Sequence, residues 1–200
     1  MNILHILAAC LLTALSGYLL GSILFGVLIS KVLYNDDVRS HGSGNAGMTN
    51  VLRTYGKLAA VLTTLGDVGK SVAAVRLGRF IFDALLSGTG AAWQNPLDPV
   101  CGAYLAAIFC MIGHSRPLFF GFKGGKGVLV GAGAALATEP LVCAVLLVIF
   151  LIEVAITHIV SLGSIIIAAL YPVGTLINLI AHDEGNYKLA FLLNDRFADG

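Results

Sequence analysis

Two short stretches of this chain concentrate residues that could bind an anion. The first is His41-Gly-Ser-Gly-Asn-Ala-Gly-Met-Thr-Asn50, followed by Arg53, and the second is Gly121-Phe-Lys-Gly-Gly-Lys-Gly127. Glycine lets the backbone turn through positive φ and approach a ligand closely. Successive N–H groups can then line up as an anion nest, strengthened where a helix N-terminus follows. Lys123, Lys126 and Arg53 add full positive charge, while Ser43, Asn45, Thr49, Asn50 and His114 add hydrogen-bonding side chains. One phosphate, or two, is the matching ligand. Either stretch alone could be an ordinary turn with cations that set topology; their co-occurrence points to a site.

Common phosphate and acyl-transfer motifs do not account for them. For Gly125-Lys126, the Walker A pattern G-x-x-x-x-G-K-[ST] would need glycine at Phe120 and Ser or Thr at Gly127; for Gly69-Lys70-Ser71 it would need glycine at Thr64. The H-x-x-x-x-D pairing of acyl-CoA-dependent acyltransferases fails too, because the fifth residue after His114 is Phe119 and after His41 is Ala46. Asp67 and Lys70, three apart, share a helix face, either as a packing ion pair or as a pair that orients the neighbouring loop. Glu153, His158 and His5 suggest no role.

The elements that must carry these loops are set by composition. Of 200 residues, 58% are hydrophobic and only 12% charged, against about 25% charged in soluble domains. This excludes an ordinary soluble domain and a disordered chain. The balance of 12 Lys and Arg against 11 Asp and Glu excludes a nucleic-acid binder. Cys10, Cys101, Cys110 and Cys143 lie in apolar runs without metal-like spacing and read as packing residues, so no disulfide or metal site is expected. Residues 1–30 hold no charged side chain, so the N-terminus lacks the basic region of a signal peptide and reads as a retained membrane helix.

The expected architecture is an all-α polytopic membrane bundle. Spans are expected over Ile3–Leu33, Leu58–Val75 and Pro99–Ser115, with turn signals at Asn95-Pro96 and Asp98-Pro99. Beyond the second glycine loop come Val128–Thr138, Leu141–Thr157 and Ile159–Ala181. The first of these is only about 17 Å long as a helix, so it is either a short separate crossing, giving six, or half of a kinked one, giving five. Lys31, Arg39, Arg53 and Lys57 lie in or beside the first loop, and Arg116, Lys123 and Lys126 in the second. Parity puts both loops on one face, which the positive-inside bias makes cytoplasmic, with Arg76 and Arg79 on the other.

Laid out in order, these residues resemble the bacterial acyl-phosphate:glycerol-3-phosphate acyltransferase family. The matching pieces are Leu20-Gly-Ser-Ile23 with Phe25-Gly26, Gly42–Asn50 with Arg53, Asp67 and Lys70, Gly113-His114 with Pro117, Phe122–Val128, and Val160-Ser-Leu162 with Ser164-Ile165. The resemblance implies seven helices and an active site on the cytoplasmic face of the bacterial inner membrane. There an acyl group would pass from acyl-phosphate to the 1-hydroxyl of glycerol-3-phosphate, giving lysophosphatidate and phosphate. It implies catalytic roles for Lys126, Ser43, Arg53 and His114, and substrate contacts from Gly42, Gly44, Asn45, Asn50, Lys123, Gly124, Gly125, Gly127 and Ser161. Asp67 and Lys70 would support the site. No metal or cofactor is expected. The expected partners are the two substrates, membrane lipid and the soluble enzyme that makes acyl-phosphate.

The C-terminal end departs from that pattern. The family carries a His-x-x-Asn motif after a further helix, whereas His182-Asp-Glu-Gly-Asn186 has one residue more and follows Ser161 by 21 residues. Six crossings place it opposite the glycine loops; five place it beside them. No role is carried onto His182 or Asn186. Tyr187–Leu193 reads as the start of a span that gives way to a polar tail at 194–200, so a single membrane domain over 1–193 with a truncated or divergent end is expected. The competing functions are an inactive or scaffold relative of the same family and a transporter of a phosphorylated solute. A transporter should show internal repeats, and none is evident.

Overall fold

The computed structural model describes residues 3–86 and 99–183, all in helices and connecting loops. The chain forms two compact units, Met1–Thr138 and Glu139–Gly200. The expected turn at Asn95-Pro96, Asn186 and the run Tyr187–Leu193 lie outside the described residues, and of His182 only its place in a helix is described.

The first apolar run is two helices, α1 (Ile3–Gly21) and α2 (Phe25–Tyr34). One straight helix of that length would reach about 46 Å, well beyond the roughly 30 Å of hydrocarbon it has to cross. The ladder stops where the Ser22 hydroxyl and amide both bond back to the Tyr18 carbonyl, at 2.8 and 2.9 Å, and Leu24 turns extended at φ −91°, ψ 97°. The break frees the Ile23 carbonyl, which a lysine from another helix takes up.

Between the first two spans lies α3 (Met48–Tyr55), a short helix inside what the sequence presents as loop. It is followed by α4 (Lys57–Leu86). The expected span ended at Val75, but α4 runs on for three more turns with Arg76 and Arg79 exposed on its outer side. Then come α5 (Pro99–Ser115) and α6 (Val128–Thr138), the latter packed on α4 and α5.

Lipid gives apolar helices no hydrophobic reason to associate, so close packing rests on small residues. A Cβ at Gly17 on α1 would sit 2.8 Å from the Ala106 carbonyl of α5, and one at Gly113 on α5 would run into the Tyr18 carbonyl of α1. Gly78 on α4 and Gly102 on α5 face each other in the same way. Ser71 on α4 donates to the Val130 carbonyl of α6 at 2.7 Å, and Cys110 is buried beside Ala74 and Val130. Cys101, by contrast, is exposed.

The second unit holds α7 (Pro140–Thr157) and α8 (Val160–Asp183), separated by His158 in the left-handed region at φ 59°. The Thr157 hydroxyl donates to Glu153 at 2.6 Å, and the Asn178 amide to Glu139 at 2.8 Å. Five apolar segments among the described residues are long enough to cross a membrane, and α6 is the shorter sixth piece.

Candidate active site

The first glycine loop is anchored from below by apolar contact and from within by one amide. Val38 and Ala46 are buried with Leu24, Val27, Val51 and Ala59, which ties the loop to α2, α3 and α4. Asn50, 3% exposed at the start of α3, donates through Nδ2 to the carbonyls of Val38, His41 and Asn45 at 2.9 to 3.0 Å and accepts from the Ser43 amide at 3.0 Å. Gly42 lies at φ 53°, and a Cβ there would strike Asn50 Oδ1. Asn45 closes the following turn by accepting from the Gly47 amide at 2.9 Å. Asn45 and Asn50 therefore shape the loop, and the Ser43 side chain is exposed upon it.

A second cluster steadies the loop's outer edge. Asp36 accepts from the Tyr55 hydroxyl at 2.8 Å and lies 2.6 Å from His41 Nε2, while Tyr34 stacks on Tyr55 at 4.5 Å. Those bonds hold the Asp36 carboxyl below its ordinary value, the Tyr55 hydroxyl contributing most. Desolvation, then the bond to Asp36, pushes the Tyr55 phenol up to about 12.

The second glycine loop folds over a buried polar group. Lys70 Nζ lies 2.8 Å from Asp67 Oδ1 and 2.9 Å from His114 Nδ1, and donates to the freed Ile23 carbonyl at 2.5 Å. His114 is 3% exposed, and its Nδ1 is 3.7 Å from Asp67. Because an ammonium can only donate, His114 Nδ1 accepts and the ring proton sits on Nε2. Gly125 donates its amide to the His114 carbonyl at 3.0 Å. A Cβ at Gly125 would collide with His114 Nε2, and one at Gly124 with the His114 carbonyl, so both positions require glycine for close approach. The amides of Gly124, Lys126 and Gly127 have no acceptor among the described residues.

Arg39 joins the two loops. Its Nη1 donates to the carbonyls of Phe120 and Lys123 at 2.9 and 3.1 Å, while Nε and Nη2 hold Asp37 at 3.0 and 2.8 Å. That pairing keeps the Asp37 carboxyl below its ordinary value. Between the loops opens a cleft of about 610 Å³ lined by Asp37, Arg39, Ser40, Gly44, Phe120, Gly121 and Lys123. The side chains of Arg53, Lys123 and Lys126 are exposed and make no hydrogen bond or ion pair with another described residue. A preorganised backbone nest beside unpaired cations can bind and stabilise phosphate charge.

A family model described as glycerol-3-phosphate acyltransferase matches residues 11–194. The chain belongs to the glycerol-3-phosphate acyltransferase family. The glycerol-3-phosphate acyltransferase of Clostridioides difficile strain 630 is 43% identical over 156 residues, covering 78% of this chain and 72% of that protein. That of Syntrophomonas wolfei is 43% identical over 163 residues, covering 80% and 73%. The crystal structure of PlsY (YgiH), an integral membrane glycerol 3-phosphate acyltransferase in its glycerol 3-phosphate form, superposes with a TM-score of 0.65 at 31% identity, over 90% of this chain and 92% of that one.

Of the residues that the family resemblance singles out, the first unit assembles His114, Asp67, Lys70, Gly124 and Gly125 into one cluster, and sets Gly44 and Lys123 on one cleft. Gly127, at φ 81°, leads directly into α6. Arg53 lies in the last turn of α3, and Ser161 is exposed near the start of α8 in the second unit. Arg39, Asp36 and Tyr55 were not singled out by sequence. The sequence signal for Arg39 is its count among the cations of the first loop, ahead of the glycines.

Proposed function

We propose that this protein transfers a fatty acyl group from acyl-phosphate to the 1-hydroxyl of glycerol-3-phosphate, at the cytoplasmic face of a bacterial inner membrane, within a single functional domain. The meeting of two glycine loops in one unit, with Lys123 and Lys126 left unpaired among the free amides of the second loop, carries this reading. An acyl-phosphate is already an activated anhydride, so positioning and charge stabilisation suffice and no protein nucleophile is needed. The hydroxyl oxygen attacks the acyl carbon, the carbon–oxygen bond to phosphate breaks, and phosphate leaves with the bonding electrons. The hydroxyl proton passes to a phosphate oxygen, and the products are lysophosphatidate and inorganic phosphate.

In this scheme the amides of Gly124, Lys126 and Gly127, with Lys123, hold the donor phosphate, Gly125 seats that loop on His114, and Lys126 stabilises the charge developing on the phosphate. Ser43, presented by the turns at Gly42 and Gly44, and Arg53, on the last turn of α3, hold glycerol-3-phosphate, and Asn45 and Asn50 keep that loop in shape. His114 positions the second loop through its carbonyl and ring, fixed in turn by Lys70 and Asp67. Ser161 is assigned to glycerol-3-phosphate by family resemblance alone. The soluble enzyme that makes acyl-phosphate is the expected upstream partner.

Lys126→Ala and Arg53→Ala in purified protein test the assignment. Lys126→Ala is expected to lower kcat by about 100-fold or more, and Arg53→Ala to raise KM for glycerol-3-phosphate. Turnover unchanged by both substitutions would overturn it.

A further inference from the structure

We infer that Arg39 is a positioning residue that holds the 121–127 loop in its anion-binding shape, acting through the carbonyls of Phe120 and Lys123. This rests on the acyl transfer proposed above and names a residue on which its donor site depends. One nitrogen, Nη1, takes both carbonyls, at 2.9 and 3.1 Å, and so closes the chain between them. The other two nitrogens grip Asp37, and the guanidinium carbon lies 5.8 Å from the centre of the Phe120 ring. Every nitrogen of the side chain is thus engaged by protein, and four of its five N–H groups have protein acceptors.

The remaining bonds of the loop show what Arg39 works against. Phe122 stands at φ 58°, a left-handed conformation that a bulky residue keeps only when its surroundings impose it. The Phe122 amide is tied to the Pro117 carbonyl at 2.9 Å and the Gly125 amide to the His114 carbonyl at 3.0 Å, so the end of α5 and the turn after it hold the loop by its amides while Arg39 holds it by its carbonyls. Carbonyl oxygens repel an anion. With Phe120 and Lys123 turned onto a full positive charge, the free amides of Gly124, Lys126 and Gly127 are left to face the ligand. Lysine cannot replace this arrangement, because its single nitrogen cannot hold a carboxylate through two donors and also reach two carbonyls.

The test uses full-length protein in lipid nanodiscs, as wild type, Arg39→Lys, Arg39→Gln and Asp37→Asn. Hydrogen exchange is read over residues 118–127 and over α5, and kinetics are measured with acyl-phosphate and glycerol-3-phosphate varied separately. Both Arg39 variants are expected to exchange faster over 118–127 with α5 unchanged. They should also raise KM for acyl-phosphate by about tenfold or more, a larger change than for glycerol-3-phosphate, with Asp37→Asn intermediate. Should Arg39→Gln fail to fold, Arg39→Lys and Asp37→Asn carry the same comparison. Unchanged exchange over the loop, or full rescue by lysine, would overturn the inference. A wild type that forms no product from acyl-phosphate would overturn the proposed reaction instead, and the exchange measurement would still decide what Arg39 does to the loop.

Discussion

Lys70 on α4 places its ammonium 2.9 Å from Nδ1 of His114 on α5, at the point where the α5 carbonyl of that same histidine receives the Gly125 amide. A buried charge inside the membrane is costly unless it is paired. Here the cost is offset by Asp67, by the Ile23 carbonyl freed at the break after α1, and by the imidazole. The break in the first span, the ion pair on the second and the glycine loop after the third are parts of one arrangement.

Removing the cation should therefore harm the protein more than removing the pair. Lys70→Met leaves Asp67, 1% exposed, without its counter-charge, and the expected destabilisation is about 3–5 kcal/mol. Asp67→Asn combined with Lys70→Met should recover much of that loss. Thermal unfolding in detergent compares the two; a double variant no more stable than Lys70→Met would contradict the account.

The spans and the spacing of Asp67 and Lys70 are legible in the sequence because hydropathy and helical periodicity are local. His114 as their partner is not, since it lies 44 residues from Lys70 and is brought there by the approach of α4 to α5. The interruption at Ser22 is hidden for a related reason: the run through Leu33 is apolar on both sides of it, and the lysine that stabilises the freed carbonyl is in another helix. Arg76 and Arg79 look like the end of a span, yet α4 continues beneath them because long basic side chains can sit on an outer helix face. Arg39 can be counted from sequence as a loop cation; its grip on Phe120 and Lys123 depends on two loops meeting.

Glycine positions in the second loop should differ sharply in tolerance. A Cβ at Gly125 meets the His114 ring, whereas one at Gly121 meets nothing within 4 Å and carries only the strain of φ 66°. Gly121→Ala is expected to cost about 1–2 kcal/mol locally and to retain most activity, while Gly125→Ala loses activity by about 100-fold or more. Relative turnover of the two variants checks this, and equal loss would count against the His114 contact.

The outer edge of the first loop should be most stable over a defined pH window. Asp36 and Asp37 have folded values below the ordinary 3.8, so their contribution is present above that value and is lost as the pH falls through the lowered ones. Tyr55 is raised from 10.0 to about 12, so its contribution is present below pH 10.0 and is lost as the pH rises toward 12. Protection of residues 35–55 from hydrogen exchange, corrected for the intrinsic rate, should be flat between these limits and decline outside them. A loss of protection centred near neutral pH would contradict the assignment.

The most direct measurement is product formation by the purified wild-type protein in lipid, with labelled glycerol-3-phosphate and either acyl-phosphate or acyl-CoA as donor. The account predicts labelled lysophosphatidate and released phosphate with acyl-phosphate, and no comparable turnover with acyl-CoA. A folded protein that is inactive with acyl-phosphate, or equally active with acyl-CoA, would contradict it.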